Sequence, residues 1–272
     1  TNPGADNPPT SLLTNALFER VQISGASFQG MHFEAADNLV LTDVTVTDSG
    51  NVGYEDQDYN YGHGIDINLK FADYSSITFN NVVVENSGYS NGDPTGAGVV
   101  IKTRGVPDDA PYDEAERPKA SLQAVNINGG RIAGSQGQGL RIEDLSNGEG
   151  GQPTVRIDGM RFADNGMDIV VGKTNVDATG ATFEGAADGF AIEDRVYHAL
   201  DQAGLGLVTW EAGHIYVTQD SGSIQRGINV TDTGDVVNVQ AGTYNENLTI
   251  SKALTLNGEG AGTATLASTT TG

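Results

Sequence analysis

Six stretches of the chain share one alternation: apolar, polar, apolar, polar, a small or turn-forming residue, then a second short alternating run. They are VQISGASF (21–28), LVLTDVTV (39–46), ITFNNVVV (77–84), VNINGGRI (125–132), VRIDGMRF (155–162) and VDATGATF (176–183). Strict alternation over three or four residues sends one set of side chains inward and the other outward, so each stretch predicts two short strands joined by a corner. Asp, Asn or Gly stands at the corner because these residues tolerate the left-handed backbone that a sharp bend demands. A further strand follows most copies after SG or NG punctuation: HGIDINLK (63–70), AGVVIKTR (97–104), QGLRIEDL (138–145), MDIVVGKT (167–174) and DGFAIEDR (188–195).

Three short strands per repeat, joined by corners and not by helices, describe the coil of a right-handed parallel β-helix. The expected fold is therefore an all-β solenoid with inserted loops and a short helical connecting segment. The copies start 18, 38, 48, 30 and 21 residues apart, which implies a minimal coil of about 20 residues with loops inserted in the longer ones. The insertions DSGNVGYEDQDYNYG and ENSGYSNGDPTG precede the GIDI-type strand, whereas FADYSS, GVPDDAPYDEAERPKAS and SNGEGGQPT follow it. Equivalent points of successive coils stack, so these loops border the two margins of one strand ladder, which becomes the candidate working face.

The texture changes near residue 195. RVYHALDQAG, apolar at 196, 197, 199 and 200 with Gly204 as a C-cap, predicts a short helix; LGLVTW and HIYVT predict strands. SGSIQRGINV offers a Ser N-cap and apolar Ile224, Ile228 and Val230, and DVVNVQAGTY and NLTISKALTLNGEG then alternate again. The organisation expected is coils with inserted loops over 1–195 and a connecting or capping segment with a short helix over 196–220. Residues 221–272 supply a capping helix and the first coil of a further solenoid, or a cap folded back on the first.

Composition narrows the function. With 36 acidic and 14 basic residues the formal charge is -22, and such a surface repels nucleic acid and anionic membranes. No run of about 18 apolar residues exists and TNPGADNPPT lacks both a basic and an apolar region, so neither a membrane span nor a targeting segment is expected within the chain. The 37 glycines lack the three-residue period of collagen, and the absence of Cys suits an extracellular or cell-surface location. There is no thiol nucleophile, GxSxG elbow or phosphate loop, and the four histidines form no metal pair at helical spacing.

The segment SIQRGINVTDTGDVVNVQAGTYNENLTISKALTLNGEG, within residues 221–260, resembles the capping helix and first coil that open many secreted right-handed β-helix proteins. These include bacterial surface proteins and adhesins and, more distantly, polysaccharide lyases and alginate epimerases. The resemblance specifies fold far better than function.

Candidate chemistry gathers on the ladder. Aligning GIDINLK, GVVIKTR and GLRIEDL on their Gly places Asp66, Val100 and Arg141 in one outward column, Asn68, Lys102 and Glu143 in the next, and Lys70 and Arg104 in a third. Neighbours would lie about 4.8 Å apart, forming a cationic island edged by His63 and Tyr61. In lyase or epimerase chemistry a cation neutralises a uronate carboxylate while Tyr or His relays protons, which would give Lys102 or Arg141 the first role and His63 or Tyr61, beside Asp66, the second. YNYGHGID is similar to the Tyr, Asp and His cluster of the alginate epimerases, although their Asp-Pro-His order is absent and His63 precedes Asp66. The same columns also read as ladders of alternating charge that solvate a sheet face, with His63 bonding a loop backbone at a corner.

Tyr54, Tyr59 and Tyr89, with Lys70 and Arg104, are candidate sugar contacts at the ladder margin. Glu55, Asp56 and Asp58 in EDQDYN, and the carboxylates of PDDAPYDEAE, are candidates for Ca2+, without EF-hand or nonapeptide spacing. The sequence thus points to a structural or adhesive, glycan-facing module of a large secreted bacterial protein, able to contact adjacent modules end to end. A polysaccharide lyase or uronate C5-epimerase is the alternative.

Overall fold

The computed structural model describes residues 12–50, 62–70, 72–88, 96–105, 119–148, 151–259 and 264–267. Among them the chain is all-β, built of parallel sheets with two short helices. Two ladders dominate. One contains, in chain order, Gln29–Phe33, His63–Lys70, Ala97–Arg104, Gln138–Ile142, Met167–Val171 and Val196–Tyr197. The other, of nine strands, runs from Leu17–Glu19 and Leu39–Thr42 through Asp73–Glu85, Ser121–Ala133, Thr154–Ala163 and Val176–Phe183 to Val208–Thr209, with Gln22–Ser24 and Thr45–Thr47 beside it. The chain visits the two ladders alternately, and every pairing within them is parallel.

Alternation in sequence becomes stacking in space. Met31, Ile65, Val99, Leu140, Ile169 and Val196 occupy successive rungs of one inward column, and Phe33, Ile67, Ile101, Ile142 and Val171 those of the next. Leu39, Ile77, Val125 and Val155, with Leu41, Phe79, Ile127 and Ile157, face them from the long ladder in one continuous apolar core.

Left-handed residues mark the corners. Arg20, Asp43, Asn81, Gly129 and Gly159 bend the long ladder midway; Gly25, Asp48, Asn86, Gly134 and Asp164 end it. After this second corner comes a buried polar stack, in which Ser49 N–H donates to Ser87 Oγ at 3.1 Å and Ser135 N–H to Asn165 Oδ1 at 3.1 Å. Gly64 then lets the next strand approach closely: a Cβ there would lie 2.6 Å from both the Gly98 carbonyl oxygen and Val84 Cγ1. This contact fixes where the His63–Lys70 strand starts and hence which of its residues face out.

Three expectations are corrected. VQISGASF is out of phase, because Leu17 pairs with Val40 and Gln22 with Thr45, so the corner equivalent to Asp43 is Arg20. Gly25, whose N–H bonds Thr47 O, matches Asp48. An Arg in the left-handed region is uncommon, which hides the corner from a search for Gly, Asn and Asp. Gly180 is not left-handed, and the register shifts around it.

The third correction concerns DGFAIEDR, which forms not a strand but a helix, α1 (Gly189–Glu193), because Asp188 caps it by accepting the Ala191 N–H at 2.9 Å. The ladder strand is instead Val196–Tyr197, inside the segment whose pattern predicts a helix, and the ladders run on to Thr209.

Beyond them a second apolar cluster joins Ile215, Val217, Val237, Val239 and Tyr244 to helix α2 (Ile224–Val230). Its strands His214–Val217, Val236–Val239 and Thr255–Gly258 are also parallel. Ser223 caps α2, its side chain accepting the Arg226 N–H at 3.2 Å, as the sequence predicts, and the Glu246 carboxylate accepts the Ile224 and Gln225 N–H groups at 2.7 and 3.0 Å. The two clusters adjoin at an aromatic seam, with Trp210 stacked on Tyr216 and Phe190 edge-on to it.

Candidate functional site

The register places the charged columns as the glycine alignment implies. Asp66, Val100 and Arg141 are paired across neighbouring strands, as are Asn68 with Lys102 and Lys70 with Arg104. One more strand extends them: His32 pairs with Asp66. Gly30 in QGMHFE occupies the position of Gly64, yet the alignment starts at HGID and so misses Gln29, His32 and Glu34. Glycine alignment of this segment with GIDINLK would find them.

Asp66 is the hub. It is 2 % exposed and meets Lys102 Nζ at 3.1 Å on one oxygen. Its other oxygen accepts from Gln29 Nε2 at 2.9 Å and meets His32 Nδ1 at 3.0 Å. Burial pushes the carboxyl up, but the His32 hydrogen bond and the Lys102 charge outweigh it and hold the group below the usual aspartate range. The Asp66 hydrogen bond in turn raises His32 above an ordinary histidine, with Glu34 at 3.2 Å from Nε2 adding to it.

Each cation of the island has an anionic partner. Lys70 donates to Glu34 at 2.6 Å, Arg104 grips Glu143 through both terminal nitrogens, and Arg141 reaches the same carboxylate at 3.2 Å. Burial acts to raise Glu143, and Arg104, Arg141 and Lys102 more than reverse it. Burial lowers Lys102 from the usual lysine value, with Asp66 opposing. Four cations against three carboxylates leave little net charge, so the island is a network of mutually neutralised pairs.

His63 is 2 % exposed. Its Nδ1 accepts the Ala97 N–H at 3.2 Å, so the neutral ring carries its proton on Nε2. Burial pushes its pKa down to about 4, against the attraction of Asp66. As pH falls from 6.5, the ordinary value of histidine, toward about 4, the unfolded chain takes up a proton that folded His63 refuses. Stability is expected to drop across that window by roughly 3 kcal/mol. Titration by NMR is expected to show His63 uncharged at pH 5; an ordinary midpoint would mean that the ring is hydrated.

Tyr54, Tyr59, Tyr61 and Tyr89, and the Ca2+ candidates Glu55, Asp56 and Asp58, lie outside the described residues, as does PDDAPYDEAE. Among the described residues a different group, Glu193, His198 and Asp201, brings one possible ligand atom each within 4.8 Å of the others. These residues do not fit a cation. His198 Nδ1 accepts the Val208 N–H at 3.1 Å and Nε2 lies 3.2 Å from Glu193 Oε1, so Nε2 holds the proton and no ring lone pair remains. Burial raises Glu193, which suits a carboxyl receiving that hydrogen bond in an apolar junction.

No helix is long and apolar enough to cross a membrane among the described residues. In comparisons with known proteins, no family model, no curated protein and no solved structure matches this chain.

Proposed function

We propose that the chain is a right-handed parallel β-helix module of a secreted or cell-surface bacterial protein, structural and adhesive in role and glycan-facing. Supporting the fold reading are two all-parallel ladders visited alternately, with aliphatic columns running through every rung. Right-handed crossovers follow from strand twist. The similarity of residues 221–260 to an opening coil supports a second solenoid unit there, and exposed Leu13 and Leu17 at one end and Leu256 and Leu266 at the other suit stacking of adjacent modules.

The observation that carries the functional reading is the pairing of Lys70, Lys102, Arg104 and Arg141 with carboxylates. A catalytic cation must be free to meet the substrate carboxylate, and a base needs an accessible lone pair. Here the cations lie against carboxylates and the His63 lone pair is occupied, with Asp66, Lys102 and His63 buried, which suits a structural wall. Polysaccharide lyase or uronate C5-epimerase chemistry is the second reading, favoured by the convergence of His32, Asp66, Lys102 and Arg141 on one face.

Incubation with alginate, polygalacturonate and glucuronan, followed for unsaturated product and for solvent exchange at C5, separates the two. The expected result is no turnover on any polymer. Turnover that disappears in Arg141→Ala with the melting temperature unchanged would replace the structural reading with the enzymatic one.

A further inference from the structure

Away from the charged face, a cleft of about 530 Å³ opens where the strands Asp73–Glu85 and Ser121–Ala133 begin. Asp73 pairs with Ser121 across the ladder, and Gln123 stands opposite Ser75, between the pairs Leu122–Tyr74 and Ala124–Ser76. Tyr74 and Leu122 are buried, so alternation turns the Asp73–Ser121 and Ser75–Gln123 columns outward into the cleft.

The carboxylate is preorganised. Ser121 Oγ donates to Asp73 Oδ1 at 2.5 Å and Asn147 Nδ2 donates to the same oxygen at 3.1 Å. These two bonds fix the rotamer of a residue that lines the cleft, and Oδ2 has no hydrogen-bond partner among the described residues. The amides of Gln123 and Gln152 and the Ser75 hydroxyl likewise make no side-chain hydrogen bond to described residues.

The geometry points to an uncharged carbohydrate as the ligand of this cleft, an inference that rests on the glycan-facing reading but assigns the contact to another face. Hydroxyl groups donate and accept, and a fixed carboxylate with two free amides offers both complements. Among the described residues no Lys, Arg or His lines the cleft, and the chain carries a net charge of -22, which disfavours uronates, sulfated sugars and phosphates. A peptide would add to a free strand edge, whereas the floor strand Ser121–Ala133 is paired on both sides. The volume falls within the range of about 300 to 1,000 Å³ usual for small-ligand sites.

The test titrates the full chain with cellohexaose, mannohexaose and xylohexaose, and with oligogalacturonate as the charged comparator, by calorimetry and saturation-transfer NMR. At least one neutral oligosaccharide is expected to bind. The double variant Gln123→Ala/Gln152→Ala, at exposed positions, is expected to weaken it about tenfold, the loss of two hydrogen bonds, with an unchanged melting temperature. Neutral-sugar binding that survives the double substitution overturns the cleft assignment and leaves the glycan-facing reading standing. Preference for oligogalacturonate overturns the ligand class. Failure of every sugar to bind overturns both the cleft and the glycan-facing reading.

Discussion

Ile101→Asp is expected to leave the protein without a cooperative folded state in the surrounding rungs. Ile101 is 0 % exposed and sits between Ile67 and Ile142 in the inward column. The substitution removes an isoleucine from that column, a loss of about 2 to 5 kcal/mol for truncations of this size. It then places a carboxylate where no cation or donor faces it, adding on the order of 3 kcal/mol or forcing the group to stay protonated. Together these approach the whole stability of an ordinary domain, about 5 to 15 kcal/mol. Because each rung packs chiefly on its neighbours, the damage is expected to spread through adjacent rungs. Circular dichroism melts and hydrogen exchange across the His63–Lys70 and Gln138–Ile142 strands provide the readout. Ile101→Val is the control, expected to cost only about 0.5 to 1.5 kcal/mol. An Ile101→Asp chain that melts with the parent would mean that this side chain faces water and that the column is misassigned.

The aliphatic columns are legible because period-two alternation and the Gly that recurs at the start of four of the six short-ladder strands report the same local facts that set register. Gly64, Gly98 and Gly139 stack, each where a Cβ would strike the neighbouring strand's backbone, so aligning on Gly also aligned Asp66 with Arg141. What failed lay where another force governed. Arg20 adopts a left-handed turn that its side chain does not announce, and the surrounding hydrogen bonds impose it. In DGFAIEDR the apolar spacing fits a strand or one helical turn equally well, and the Asp188 cap decided for the helix.

His32 was invisible for a different reason. GMHFEA carries only one clear alternation, and its significance comes from Asp66, a neighbour created by stacking. The functional consequence of the columns was also beyond the sequence. Charges of both signs in alternation announce a polar face, but only the distances show that Lys70, Lys102, Arg104 and Arg141 each lie against a carboxylate of this chain.

Removing either member of the buried Asp66–Lys102 pair is expected to cost about 3 to 5 kcal/mol, because the remaining group loses its counter-charge while staying out of water. Asp66→Leu and Lys102→Met should therefore each be severe, whereas the double variant should fall short of their sum by about 2 kcal/mol. Additive losses, measured by denaturant unfolding, would show that the two groups do not depend on one another. The pH profile supplies an independent mark. Folded Asp66 is depressed, so its contribution is present above the ordinary aspartate value of 3.8 and is lost as pH falls through the folded value. Folded His32 is raised, so its contribution is complete below 6.5 and disappears as pH climbs through the folded value. With His63 disfavouring the span from 6.5 down to about 4, stability is expected to peak near pH 6.5. Because Asp66 is the first cause of the His32 shift, Asp66→Leu should flatten the alkaline decline as well as the acid one. A variant that keeps the alkaline decline would locate its origin in a group other than His32, and would detach that histidine from the hub on which the charged face is organised.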